Sequence, residues 1–227
     1  MPVVRTAAEL DAAAGEGFGH EATEAPGSTQ GRLRCRYARS MAVATPFPYH
    51  WRLEEFVLAW EAGAFQGRVE LIDGEVWSVP IGQWHGDTSG RILRALPNAR
   101  FTVTTSSLPA GDSLPAPACW VRRAGATPLA HLSQRLPRWS PTDVLLVVEV
   151  SDETLEYDLG RKAALYAAAG YPHYWSATRS GIYHHSEPGR DDYEQRRLFR
   201  RGSRITVPYA TDVLLDVDEL VGPATGG

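Results

Sequence analysis

Cysteine is almost absent from this chain of 227 residues: only Cys35 and Cys119 occur. Neither has a second thiol or a histidine at zinc-site spacing, and two thiols make no disulfide framework. A reducing, cytoplasmic setting is therefore expected. Long apolar runs are missing as well. None approaches the roughly 20 residues of a membrane-spanning helix, and the first residues lack the basic-then-apolar layout of a secretory signal. No membrane partner is expected. The third absence is an excess of positive charge. A formal net charge of −4 describes no polycation, so a nucleic-acid ligand would have to be held by a local patch.

What is present suits a folded domain. With 43% hydrophobic and 22% charged residues, the chain can bury the core of one α/β domain. Residues 1–45 are rich in Ala, Gly, Glu, Thr and Arg without a sustained apolar period and read as a disordered extension. Residues 46–221 read as the folded domain and 222–227 as a flexible tail. The change of character at Met41 is what a start codon assigned too far upstream would leave, an expectation that N-terminal sequencing of the natural product checks. The segment Gly15–His20, GEGFGH, has the glycines of a phosphate loop, but no strand pattern precedes it and no helix pattern follows.

The folded part is organised around Asp143 to Tyr174. Asp143 to Val150 is a continuous apolar run, the pattern of a strand buried on both faces, and Glu149 interrupts it near its end. An ionised acid among valines is strongly disfavoured unless a cation, a hydrogen-bond network or a metal compensates it. From about Tyr157 to Ala169, apolar residues recur at helical spacing, with Gly170 and Pro172 ending the helix. Lys162 lies three residues after Leu159 and four before Tyr166, so it falls on the inward stripe. Glu149 and Lys162 are thus expected to converge at the carboxyl end of a central strand, as a structural ion pair or as a catalytic one.

The flanking elements follow from local pattern. Leu53 to Glu61 makes an apolar helix face. RVELIDGEVWSV alternates about Asp73-Gly74, which suits a type I′ hairpin. Glu70 then faces away from Val69 and Leu71, on either an exposed polar face or a site. Gln83 to Leu96 reads as a helix with His85 on its inward side, suited to a hydrogen-bonded core position, to proton transfer or to phosphate contact. Strands are expected at Phe101–Ser106 and Ala118–Arg122, separated by the loop LPAGDSLPAP, and residues 124–142 read as a surface connection. Tyr174–Ser176, Gly181–His185 and Tyr193–Arg200 suggest an antiparallel meander, and Asp216–Leu220 a last helical turn. Trp175 is expected to pack beside the GYPHYW turn. His184 and His185 point to opposite faces if extended, a poor metal pair. The dense basic segment, Arg196, Arg197, Arg200, Arg201 and Arg204 with Tyr193 and Phe199, suits phosphate neutralisation and base stacking, or equally a charged edge strand.

The hairpin with ELIDGEV, the helix with an early His, the proline-rich approach to a strand, LLVVEVS, and an Asp-x-x-x-Lys helix running into YAAAGYPHYW together resemble the Uma2 family over about Leu53 to Val221. These are endonucleases of the PD-(D/E)XK, or restriction-endonuclease-like, superfamily. The resemblance implies an α/β fold with a central mixed β-sheet flanked by helices and a C-terminal antiparallel meander. It implies Mg²⁺- or Mn²⁺-dependent hydrolysis of DNA. Carried onto this sequence, Glu149 matches the acid of the motif strand, Lys162 the lysine offered from the following helix, Glu70 the hairpin acid, Asp158 the acid one turn before the lysine, and His85 the helix histidine. Ser151 stands where the superfamily's strand lysine would be. Two positions depart from the pattern: Ala118 replaces the aspartate after Pro117, and Thr178 stands where an aspartate is common.

The implied chemistry needs a hard cation held by oxygens, here Glu149, the backbone carbonyl of Val150, and Glu70 or Asp158 in place of the acid lost at Ala118. Three functions remain open on these grounds: an active DNA endonuclease, a degraded member acting as a nucleic-acid-binding or regulatory module, and an enzyme of the same fold with another substrate. Exposed edge strands also allow a homodimer.

Overall fold

The computed structural model of the protein describes residues 48–223. The expectations for residues 1–45, for GEGFGH, for Met41, for Cys35 and for residues 224–227 fall outside the described residues. Among those described, no helix is long and apolar enough to cross a membrane.

The chain begins with α1 (Leu53–Glu61) and a hairpin of β1 (Val69–Ile72) and β2 (Glu75–Ser78). Asp73 and Gly74 both have positive φ, 51° and 82°, as a type I′ turn demands. Then follow α2 (Gln83–Ala95), β3 (Phe101–Thr104) and β4 (Cys119–Arg123). A small hairpin, β5 (Ala130–Ser133) with β6 (Leu136–Arg138), occupies part of the stretch read from sequence as a connection. Pro137 within β6 masks that strand, because proline argues against a ladder unless the strand is short and at an edge.

β7 (Val144–Val150) is the central strand, and every one of its residues is buried. It is followed by α3 (Leu155–Tyr157), a π-helical segment (Asp158–Lys162) and α4 (Ala163–Ala168). The meander comes next as β8 (His173–Thr178), β9 (Gly181–Pro188) and β10 (Tyr193–Arg200). A further hairpin of β11 (Arg204–Val207) and β12 (Ala210–Asp216), unexpected from sequence, leads into α5 (Val217–Val221).

The main sheet runs β10-β9-β8-β7-β4-β3. Its pairs are antiparallel except β7 with β8, which is parallel and bridged by the helical segment between them. The sheet is therefore mixed, as the resemblance implies. One face of β7 carries Leu146, Val148 and Val150 into a core with Ile92 of α2, Trp175 of β8 and Val217, Leu220 and Val221 of α5. The other carries Val144 and Val147 into a core with Trp120, Ala163, Tyr166, Ala167, Tyr171 and Tyr174. Trp175 is thus a sheet-core residue on the α2 side. Each aliphatic side chain so buried contributes about 1.5–3 kcal/mol, which accounts for the apolar run of β7 that Glu149 alone interrupts.

The β1-β2 hairpin is a separate sheet. α1 covers it through Leu53, Phe56 and Val57 packed with Leu71 and Leu114. A bridge between Leu71 and Leu114, with N–H···O distances of 3.2 and 2.7 Å, fastens β1 to the proline-rich loop before β4. That fastening fixes which way β1 presents Glu70.

Candidate active site

Three elements bring their polar side chains to the carboxyl end of β7. The strand offers Glu149, the hairpin offers Glu70, and the helical segment offers Asp158 and Lys162; all four are 2–5% exposed. Lys162 Nζ lies 3.0 Å from Glu149 Oε1, 3.0 Å from Glu70 Oε2 and 3.8 Å from Asp158 Oδ1. Tyr166, one turn after the lysine, donates its hydroxyl to the same Glu149 oxygen at 2.8 Å. The Ala116 backbone N–H donates to Glu70 Oε2 at 3.3 Å, and Thr154 donates to Asp158 Oδ2 at 2.6 Å. Glu70 therefore sits in the site and not on an exposed hairpin face.

The π-helical segment shapes this arrangement. Its wider turn spans the residues between the two site side chains, Asp158 and Lys162, and π turns recur where a helix must aim functional groups. The Asp158 carbonyl accepts from the Ala163 N–H and from the Tyr174 hydroxyl at 3.1 Å, so the distortion leaves it satisfied. Leu159, expected on the inward stripe, is only half-buried, and Asp158 takes the inward place.

The electrostatics are those of crowded acids around one base. Desolvation raises the pKa of Glu149, of Glu70 and of Asp158; Lys162 opposes the rise in each case, and a neighbouring carboxylate adds to it. Burial alone would push Lys162 toward neutrality, but Glu149, Glu70 and Asp158 together outweigh it and hold the ammonium above its ordinary pKa. Lys162 is also the only lysine in a chain whose other basic residues are all arginines. A flat, forked guanidinium does not replace a compact ammonium among three converging carboxylates. This compositional signal marks the site in the sequence itself.

His85 is half-buried on α2, and its Nδ1 has no hydrogen-bond partner among the described residues. Burial, then Arg68 and Lys162, lower its pKa, so its ring is neutral at neutral pH. Ser151 is sealed in a 2.7 Å contact with Ser176, leaving the basic role to Lys162. Val150 turns its side chain into the α2-side core, and its carbonyl lies one residue past Glu149. Ala118 is buried with Val148 and Val150. β4 begins with Cys119 opposite Val148, so one more step in that register brings Ala118 level with Glu149.

Two further residues were not visible from local pattern. Arg68 donates to the carbonyls of Ala116 and Pro117 at 2.5 and 2.7 Å, holding the loop beside Glu70. Arg161 reaches across to the hairpin, donating to Asp73 at 2.8 Å, Glu75 at 3.1 Å and the Ile72 carbonyl at 3.4 Å. No sequence signal joins residues so far apart.

The basic segment is dispersed in role. Arg196 donates to the Leu159 carbonyl and Asp192, and Arg201 to the Arg179 carbonyl and Asp218. Arg197 lies over the Phe199 ring at 4.7 Å. Arg197, Arg200 and Arg204 are exposed. His184 and His185 do face opposite ways: His184 meets His173 at 3.2 Å, while His185 packs on Tyr174 and Tyr193. A groove of about 610 Å³ lies elsewhere, between the start of α1, the hairpin turn and residues 110–113, away from Lys162.

The family model for Uma2, described as "Putative restriction endonuclease", matches residues 53–218. The chain belongs to the Uma2 family. Among solved structures it is similar to a protein from Anabaena variabilis ATCC 29413 described as "a putative nuclease belonging to DUF820", at a TM-score of 0.55 and 14% identity, covering 75% of this chain and 97% of that one. At that identity the likeness concerns the fold, and it agrees with the mixed sheet described above. No curated protein matches the chain. The Uma2 match spans the hairpin, the central strand and the Lys162 helix, so the four converging side chains lie within a nuclease-type domain.

Proposed function

We propose that this Uma2 protein is a divalent-cation-dependent endonuclease that hydrolyses DNA phosphodiester bonds. The observation that carries the reading is the burial of three carboxylates against a single ammonium at the carboxyl end of the central strand. If all are ionised, the cluster has a surplus of negative charge in a nearly buried setting that screens it little, an arrangement that a hard dication relieves. Among the described residues no three acids or histidines already stand at ligand spacing by themselves; Lys162 is their common counter-ion. The donors nonetheless fit Mg²⁺ or Mn²⁺, which Glu149 and Glu70 would hold with Asp158 and the Val150 carbonyl. When bound, such an ion polarises a phosphate and lowers the pKa of a water.

The protein's own groups divide the remaining work. Lys162, held protonated, stabilises charge developing on the phosphate. Tyr166 fixes the Glu149 carboxylate through its hydroxyl. Neutral His85, its Nδ1 without a partner among the described residues, can take a proton or contact a phosphate. Arg197, Arg200 and Arg204 remain exposed for backbone phosphates away from the site.

A second reading rests on Ala118. Level with Glu149 in the sheet register and packed against valines, it offers a methyl where the family pattern has a carboxylate, which favours a binding or regulatory role for this chain. Supercoiled plasmid with Mn²⁺ separates the two readings. Nicking by the natural sequence that disappears in Glu149→Gln supports the endonuclease. No nicking by the natural sequence, with nicking gained in Ala118→Asp, supports the degraded site.

A further inference from the structure

Beside Lys162, and next to Glu70 through the Glu70–Trp77 pair of the hairpin, stands an aromatic wall. The Tyr157 ring lies 6.0 Å from Lys162 Nζ and packs at a tilt of 48° on Trp77, with centroids 5.7 Å apart. Arg161 lies 5.8 Å from the Trp77 centroid and 5.9 Å from that of Tyr157. Its charge is already taken up by Asp73 and Glu75, so it braces the rings and ties the Glu70 hairpin to the Lys162 helix. Trp77 itself is 42% exposed, an unusual state for the largest side chain beside a buried polar cluster.

Tyr157 has a second peculiarity. Its hydroxyl is buried and has no hydrogen-bond partner among the described residues. A phenol hydroxyl is a donor at neutral pH. A buried donor without an acceptor costs free energy unless a ligand supplies one.

We infer that Trp77 and Tyr157 form a nucleotide subsite that takes an unpaired base: Trp77 stacks on the base, and the Tyr157 hydroxyl donates to a phosphate oxygen of the same strand. A paired base shows a protein only its edges, whereas stacking on an indole face needs a base out of the duplex. The preferred substrate class is then single-stranded or locally opened DNA. This assignment rests on the endonuclease reading for its choice of ligand.

The test measures fluorescence anisotropy of labelled oligothymidylate and of its duplex with oligodeoxyadenylate, using the full chain in EDTA so that no cleavage occurs. The expected result is tighter binding of the single strand, weakened by about tenfold in Trp77→Ala and retained in Trp77→Phe, with duplex binding little changed. Tyr157→Phe keeps the preference for the single strand and weakens binding by about fivefold, the loss of one hydrogen bond. Equal or tighter binding of the duplex overturns the inference, as does single-strand binding indifferent to Trp77→Ala in a variant whose circular dichroism shows it folded. If plasmid nicking fails but Trp77-dependent single-strand binding is found, the subsite stands and the endonuclease reading falls. If nicking succeeds without that dependence, the subsite alone falls.

Discussion

Lys162 donates to Glu149 at 3.0 Å from the helical segment that follows the strand bearing Glu149. Acid and base thus come from consecutive elements, and the π-helical turn between Asp158 and Lys162 sets their meeting. The hairpin closes the cluster from a distant part of the sequence with Glu70, and Arg161 clamps that hairpin to the same helical segment. The site is therefore a joint between three pieces of the fold, and loss of its one cation should be felt in stability as well as in chemistry.

Lys162→Met tests that dependence. Removing the ammonium leaves Glu70 and Glu149 buried without their partner, and truncating one side of a buried ion pair costs about 3–5 kcal/mol. The carboxylates already have raised pKa values, and without Lys162 these rise further. A carboxylate whose folded pKa exceeds its unfolded one binds extra protons in the folded state, so the fold gains stability as the pH falls through that window. Urea unfolding should show a gap between the natural sequence and the variant that is widest at neutral pH and narrows toward about pH 5. A gap independent of pH would count against ionised carboxylates in the cluster.

The π-helical segment makes its own prediction. The Tyr174 hydroxyl caps the Asp158 carbonyl at 3.1 Å inside the core. Tyr174→Phe preserves the ring packing on Tyr166 and His185 and removes one hydrogen bond. Thermal unfolding should show a loss of about 1 kcal/mol. An unchanged midpoint would mean that the Ala163 N–H alone satisfies that carbonyl.

Cys119 should be inert in the folded protein. It is fully buried at the start of β4, and burial, then Glu149, push its thiol up to about 12, far from the thiolate that reacts. Thiol-reactive dyes should label Cys119 only in denaturant, as peptide mapping would show. Rapid labelling in the native state would mean that β4 opens locally.

Much of this was legible in the chain because it depends on neighbours in sequence. The Asp73-Gly74 turn, the apolar run of β7, the spacing of Asp158, Lys162 and Tyr166, and the stop at Gly170 are local patterns with local causes. The hairpins β5-β6 and β11-β12 were not legible: one contains Pro137, and in the other the clean alternation of β11 lasts only four residues, opposite a β12 whose partly exposed apolar residues do not alternate. Glu70 was ambiguous because period two assigns a face but not what covers it. The Leu71–Leu114 bridge, across more than forty residues, and the Arg161 clamp on the hairpin together turn that face toward Lys162. Arg161 and Tyr157 escaped notice for the same reason, since their roles depend on where the hairpin docks.

His185 should make the fold acid-sensitive. It is fully buried on β9, packed on the Tyr174 and Tyr193 rings, with neither ring nitrogen hydrogen-bonded among the described residues. The charges that face it are Arg196 and Asp192, with His184 beside it in the strand. Burial lowers its pKa to about 4, Arg196 adds to the lowering, and Asp192 opposes it. Both states carry a neutral ring above the ordinary pKa of 6.5, so His185 exacts nothing there. As the pH falls below 6.5 the unfolded chain takes up the proton first, and stability declines until the folded ring protonates near pH 4, at a total cost of about 3 kcal/mol. His185→Phe fits an apolar ring into the same aromatic cage and removes the proton. Urea unfolding between these two pH values should show a shallower acid limb for the variant by about that amount. Parallel limbs for the two proteins would place the acid sensitivity in His184 and His173, whose pKa values burial also lowers.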